Sequence, residues 1–201
     1  MLFSTQNIYF DIVKSKDDLE QILALQAENL KENLPESMRF QDGFVTVNHT
    51  LDQLAQMNIE LPQIVAKADD QIIGYALAMP QSMKFHIKSL IPMFEMLDQL
   101  IFKEKPLRDY EYYVMGQICI QKEYRGKGIF KGLYEMHKTL FYKNFDLCVT
   151  EISTANPRSI KAHEKIGFQT INAYRDDIDE WNVVVLELGK KCVDNYENVH
   201  Y

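Results

Sequence analysis

The chain has 201 residues, 46% of them hydrophobic and 25% charged. That is globular composition at a length suited to one domain, and it rules out a disordered or fibrous chain. Its 22 basic and 29 acidic side chains leave a formal charge of −7, with a pI near 5.3. A field of that sign repels polyanions, which excludes a general binder of nucleic acid or anionic membranes but permits a local basic pocket for one small anion. Cys119, Cys148 and Cys192 form no CxxC pair and no even set, so neither a disulfide framework nor a thiolate zinc site is expected. The five histidines lack HExxH-like spacing, and no bound metal is expected. The first residues lack the basic start and apolar core of a signal peptide, and no run approaches the ~20 apolar residues of a membrane span. The expectation is a soluble, cytoplasmic protein.

In chain order, Ile8 to Val13 reads as a strand, and Ser15-Lys-Asp-Asp18 as a capping box opening a helix. Leu19, Ile22, Leu23 and Leu30 keep one apolar face, interrupted by Gln26. A second helix is expected from Thr50, with Leu51, Leu54 and Met57 inward. Gln63 to Lys67 and Gln71 to Met79 flank the turn at Asp69-Asp70 as a pair of strands. From Pro80 to Tyr110 the chain is rich in methionine and phenylalanine, and Pro92 suits the first turn of a helix. This stretch reads as core packing, with a lid over a substrate channel as the alternative. Tyr110 to Ile120 is a long strand. A helix from about Ile129 to Lys143 follows, then a short buried-type strand from Leu147 to Ile152. Ser159 to Lys165 is a short helix ended by Gly167, two closing strands reach Leu188, and residues 191–201 read as a polar tail. Strands and helices alternating in the second half, with hairpins elsewhere, predict a mixed α/β fold around one central sheet over residues 1–190.

Gln121-Lys-Glu-Tyr-Arg-Gly-Lys-Gly-Ile-Phe130 joins the long strand to a helix. Gly126 and Gly128 permit backbone angles closed to other residues, so amide N–H groups can converge near a helix N-terminus. With Arg125 and Lys127 beside them, the turn suits a phosphate or pyrophosphate. The spacing fits neither a Rossmann fingerprint, since residue 131 is lysine, nor a P-loop. A plain connecting turn is the blander account.

Arg125-Gly-Lys-Gly128 resembles the Arg/Gln-x-x-Gly-x-Gly/Ala signature of the GNAT-type N-acetyltransferase superfamily. Gln117 to Ile120 resembles that family's splayed fourth strand, and Asn156-Pro-Arg-Ser159 with Lys161 to Phe168 its second block. The resemblance covers roughly Tyr112 to Phe168. It implies a mostly antiparallel twisted sheet with splayed central strands, flanked by helices, and acetyl-CoA as cofactor. It further implies that backbone groups of Ile118, Cys119 and Ile120 hold the pantetheine, and that residues 125–130 (Arg125, Gly126, Lys127, Gly128, Ile129, Phe130) hold the pyrophosphate, with Asn156 and Ser159 orienting the cofactor or the short helix. The reaction implied is acetyl transfer to a primary amine of a small molecule or peptide by direct attack on the thioester.

Three positions depart from the pattern. Phe130 stands where glycine or alanine is usual. His163 stands where the family often has a tyrosine near the sulfur. No acid lies at Val114 to Gly116, where a glutamate base is often found. His163 is the candidate for protonating the departing thiolate, with packing of its helix as the alternative. Ser159 also reads as a cap, and Cys119 as a small apolar side chain rather than a nucleophile. Arg158, Lys161 and Lys165 are candidates for the adenosine 3′-phosphate, ranked below Arg125 and Lys127, with solvent-facing cations as the alternative. These departures keep a second reading open, a non-catalytic coenzyme A-binding regulatory module. No general base is assigned, and neither the acceptor nor the oligomeric state, homodimer included, is set by the sequence.

Overall fold

The computed structural model describes residues 7–87, 90–177 and 179–189; the expected tail at 191–201 and Cys192 lie outside them. Strand β1 (Ile8–Ile12) leads into helix α1 (Lys16–Asn29), followed by α2 (Glu36–Asp42), α3 (Leu51–Glu60), β2 (Ile64–Ala68) and β3 (Gln71–Pro80). Next come α4 (Ile91–Gln99), the short hairpin β4 (Ile101–Phe102) and β5 (Lys105–Pro106), and β6 (Tyr112–Ile120). The chain continues through α5 (Ile129–Phe141), β7 (Leu147–Ser153), α6 (Pro157–Lys165), β8 (Gln169–Arg175) and β9 (Glu180–Glu187).

Local chemistry explains where these elements begin. Ser15 and Asp18 form the expected reciprocal capping box, and Thr50 with Gln53 forms a second. Each satisfies two backbone donors that a helix start would otherwise leave open. Asp18 also takes the Lys67 ammonium at 2.6 Å, which ties α1 to β2. Helix α2 and the β4–β5 hairpin were not anticipated. Glu36 to Asp42 has no strong apolar period, and a helix of seven residues depends on its tertiary neighbours.

Seven strands form one sheet in the order β1-β2-β3-β6-β7-β9-β8. Every neighbouring pair is antiparallel except β6 and β7. One hydrophobic core lies between the sheet and α1, α3 and α4, and includes Ile22, Leu54, Phe94 and Leu97. The other lies beneath α5 and includes Leu133, Tyr134 and Phe141. The segment from Pro80 to Tyr110 sends Met83, Phe94, Leu97, Phe102 and Leu107 into the first core.

Two irregularities position the site. The β6–β7 pairing covers only Tyr112↔Leu147, Tyr113↔Cys148 and Val114↔Val149. Beyond Val114 the two strands part, so β6 backbone groups on that side have no β7 partner in the ladder. Opposite β3, Met115 faces Ala78 and Gln117 faces Leu77, which leaves Gly116 as a bulge. The bulge shifts the alternation by one residue. Met115 therefore joins the α5 core, while Cys119 and the buried Gln117 lie on the α1 side with Tyr75. A Cβ at Gly116 would sit 2.7 Å from the Met79 methyl.

Candidate functional site

Where β6 and β7 part, a cleft of 630 Å³ runs from the strand gap to the N-terminus of α5 and the flank of α6. Its walls include Ile118, Cys119 and Ile120 from β6, with Gly126, Gly128, Ile129 and Phe130 from the turn and first helical residues. Gly126 and Gly128 both have positive φ, +77° and +83°, and nothing lies within 4 Å of where a Cβ would stand. Gly128 caps α5 in the left-handed conformation with no side chain over the helix start. The first amides of α5 are thus left to a ligand, and the dipole makes that end favourable for an anion.

The cations near the turn divide differently from expectation. The Arg125 side chain lines the cleft, and each of its three nitrogens is hydrogen-bonded within the protein. Nε reaches Ile120 O at 2.9 Å, one terminal nitrogen reaches Asn29 Oδ1 at 2.7 Å, and the other reaches Asp42 O at 3.1 Å. Arg125 is a strut joining the ends of α1, α2 and β6. Lys127 is not part of the wall; its ammonium lies 4.9 Å from the Tyr124 ring centre. Lys161 and Lys165 of α6 do line the cleft, as does Arg158, which also donates to Gln41 O at 3.0 Å.

Asn156 caps α6 by accepting from Ser159 N at 3.2 Å, and its amide donates to Phe44 O at 3.1 Å. It thereby fixes the segment after α2 against α6. The Phe130 ring packs on Tyr134 and His163, at centroid distances of 5.2 and 5.0 Å. Cys119 is buried, and burial pushes its thiol up to about 12. It is an apolar wall and holds no thiolate near neutral pH.

His163 is buried between Tyr134 and Ser159. Its Nδ1 lies 2.8 Å from Ser159 O, and its Nε2 lies 2.8 Å from the Tyr134 hydroxyl. A carbonyl only accepts, so Nδ1 carries the proton and Nε2 accepts from Tyr134. Burial pushes the ring's pKa down to about 4.

A smaller cavity of 70 Å³ adjoins the cleft and shares Phe44, Val45, Ile118, Asn156 and Ser159 with it. Its other walls bring together Gly116, Gln117, Glu151, His163 and Trp181. Glu151 lies on β7 just past the last β6–β7 pair. Burial pushes its pKa up to about 7, against the lowering effect of the Tyr174 hydroxyl that donates to Oε1 at 2.9 Å. Asp176 adds to the upward shift. No local motif in the sequence singles out Glu151, Tyr174 or Trp181. The available signal was one acid inside the short, mostly apolar strand Leu147–Ile152.

On the α1 side, a buried chain of amides holds the cavity wall. Gln26 Oε1 accepts from His49 N, and its Nε2 bonds Gln117 Oε1 at 2.7 Å. Gln117 in turn donates to Val47 O at 2.8 Å and accepts from the Tyr75 hydroxyl at 2.6 Å. Gln26, which interrupts the apolar face of α1, is therefore the anchor for the segment that carries Phe44 and Val45.

The comparisons with known proteins agree with this geometry. The model of the acetyltransferase (GNAT) family matches residues 28–168, and the chain belongs to that family. No curated protein matches it. Solved structures similar in fold include the ribosomal-protein-S18-alanine N-acetyltransferase from Escherichia coli, at 10% identity and TM-score 0.62, covering 95% of this chain and 100% of that one. An N-acetyltransferase from Staphylococcus aureus is 19% identical with TM-score 0.59, over 91% of this chain and 99% of its own. A Salmonella typhimurium structure solved with its cofactor acetyl-CoA is 14% identical with TM-score 0.58, over 94% and 98%. The protein is thus an acyltransferase that uses acetyl-CoA. The cleft fits that cofactor: it offers apolar walls along β6 for the pantetheine, open glycine amides at the α5 start for the diphosphate, and lysines on α6. Among the described residues no helix is long and apolar enough to cross a membrane, and no cluster of three or more metal-ligating side chains occurs.

Proposed function

We propose that the chain transfers an acetyl group to a primary amine by direct attack on the thioester, with Glu151 as the general base. The observation that supports this most is a buried carboxyl with a pKa near neutrality, placed in the strand gap where the large cleft meets the small cavity. Acetyl-CoA supplies the activated acyl group. β6 amides beyond Val114 that β7 leaves unpaired are donors for the pantetheine and for charge developing on the thioester oxygen. Glu151 accepts the proton of the attacking nitrogen as the C–N bond forms and the C–S bond breaks. A carboxyl tuned near pH 7 is ionised for that task in about half the molecules at neutrality, where base catalysis is most effective. Residues 126–130 hold the diphosphate through backbone amides, with Arg125 holding the turn in shape. Lys161 and Lys165 are the cations for the 3′-phosphate.

His163 fits a positioning role. Its one ring proton goes to Ser159 O, so neither nitrogen has a proton to give a departing thiolate, and water is the proton source. We expect His163→Phe to keep turnover within about threefold of the parent and to leave the pH profile unchanged. A rate loss of 10²-fold or more, together with a lost alkaline limb, would restore it as the acid. The proposal as a whole is tested by calorimetric titration with coenzyme A, ATP and NAD, and by thiol release from acetyl-CoA with a panel of amines. Binding of coenzyme A alone among the three, with amine-dependent thiol release, is the expected outcome. Failure to bind coenzyme A, or binding without turnover of any amine, would overturn it.

A further inference from the structure

Strands β6 and β7 open like a V after their three pairs, and one short stretch of chain crosses its mouth. Residues 41–45 are tied to the β6 arm through Asp42. Its carbonyl accepts from Arg125 at 3.1 Å, and its carboxylate meets the Lys122 ammonium at 3.0 Å. They are tied to the β7 arm through Gln41 O and Phe44 O, which accept from Arg158 and Asn156 at 3.0 and 3.1 Å. Gly43 permits the crossing, since its φ is +72° and a Cβ there would stand 3.0 Å from Asn156 Oδ1. A third tie runs to the end of α1. Val45 N donates to Asn29 O at 2.9 Å, and Val45 O accepts from Lys31 N at 2.8 Å.

Phe44 is the bulky side chain that this stretch brings to the gap. It is half-buried and lines both the cleft and the small cavity. The Lys31 ammonium lies 5.2 Å from its ring centre and 2.8 Å from Asp179 Oδ2, which also accepts from Ser153 Oγ at 2.7 Å. Ser153 ends β7 and is itself a wall of the small cavity. The ring therefore stands at the β7 edge of the gap, under a cation that its face attracts. With the diphosphate at the glycine turn and the pantetheine along Ile120 to Ile118, the next walls along β6 are Gln117 and Gly116, which belong to the small cavity. The acyl group and the attacking nitrogen then share a space of 70 Å³, enough for a few heavy atoms.

We infer that Phe44 sets the length of the acyl group, so that the enzyme takes acetyl-CoA and rejects thioesters with butyryl or longer chains. A carbonyl, one methyl and the amine nitrogen fill the shared space. A longer tail needs room that the Phe44 ring occupies, and the ring cannot retreat while its backbone is tied on three sides. The inference rests on the amine-acetylation reading and deepens it. Phe44 is a specificity-determining residue here, and Glu151 remains the base.

The test compares acetyl-, propionyl-, butyryl- and hexanoyl-CoA as donors to one amine, by thiol release, and as ligands without amine, by calorimetry. A methylene that does not fit its pocket costs about ten- to two-hundredfold. In the parent protein kcat/KM for butyryl-CoA should therefore lie about 10²-fold or more below that for acetyl-CoA, and butyryl-CoA should bind about tenfold more weakly. In Phe44→Ala the butyryl-to-acetyl ratio of kcat/KM should rise about tenfold or more. Phe44→Leu keeps an apolar side chain at the site and should raise it about threefold or more, with the two Kd values drawing together. The ratio compares two donors on one protein, so a merely structural role for Phe44 would lower both donors alike and leave it unmoved. A parent protein that binds and uses butyryl-CoA within about threefold of acetyl-CoA, or a ratio unmoved in Phe44→Leu, would overturn the Phe44 assignment while leaving amine acetylation standing. Binding of coenzyme A without turnover of any donor with any amine would instead overturn the reading on which the inference rests.

Discussion

Glu151→Gln is expected to lower kcat/KM by 10²- to 10⁴-fold, the usual contribution of a positioned base, while leaving the Kd for coenzyme A within about twofold. The substitution keeps the shape of the side chain and its acceptor oxygen toward Tyr174 but removes the ability to take a proton. The pH profile carries the more specific signature. With the carboxyl pushed up to about 7, activity of the parent protein should rise as pH increases through about 7, as the carboxylate is unmasked. In Glu151→Gln that ascending limb should vanish. Tyr174→Phe should move the limb upward, because the Tyr174 hydroxyl stabilises the ionised form. Measuring kcat/KM against pH for the three proteins decides the matter. A Glu151→Gln enzyme with a third or more of the parent rate and the same limb would remove Glu151 as the base.

The second large effect is on stability in mild acid. Burial pushes His49, His137 and His163 down to about 4, 3 and 4. His137 is enclosed by the rings of Tyr113, Tyr134 and Phe141. A histidine held neutral in the fold but free to charge near pH 6.5 when unfolded stabilises fully above 6.5. That contribution is lost as pH falls toward the folded value, at about 1.4 kcal/mol per pH unit for each ring. By pH 5 each of the three has given up about 2 kcal/mol. Glu151 has the opposite sign: raised to about 7, it favours the fold as pH drops from 7 toward 4.5. It returns about 2–3 kcal/mol over that range. The remaining deficit grows to about 6 kcal/mol by pH 4, comparable with the whole stability of a domain this size. Circular dichroism at constant ionic strength should therefore show cooperative unfolding centred between about pH 4 and 5. A fold still intact at about pH 3.5 would show that these rings are solvated far more than their burial implies.

Two of the three buried histidines stand close to functional walls. His49 is bonded to Gln26, which carries the segment with Phe44 and Val45, and His163 supports Phe130 and Tyr134. The interior that shapes the cavity is thus also the part most sensitive to protonation. Acid should loosen the segment carrying Phe44 and Val45 before the β2–β3 hairpin, whose core-facing residues are apolar.

What the amino-acid order determined by itself is local and periodic. The capping boxes at Ser15 and Thr50, the turn at Asp69, the placement of Pro92 in a first helical turn and the glycine pair at 126 and 128 depend on residues a few positions apart. Short-range hydrogen bonding and steric freedom are enough to make such features legible. The family resemblance of residues 112–168 is legible for the same reason, since diphosphate binding by backbone amides needs particular residues at fixed local spacing. Tertiary structure alone decided the rest. Arg125 carries a charge that reads as a phosphate ligand, while its hydrogen bonds to Asn29 and Asp42, far away in the chain, are visible only in the folded protein. The partners of His163, Tyr134 and Ser159 O on its two ring nitrogens, are set by the tertiary structure and do not show in its own stretch of sequence. Glu151 acquires its near-neutral pKa from burial, against Tyr174 on another strand, and its place in the cavity from the parting of β6 and β7 after only three pairs. A base is made by desolvation and neighbours, and neither is a property of a residue's place in the sequence.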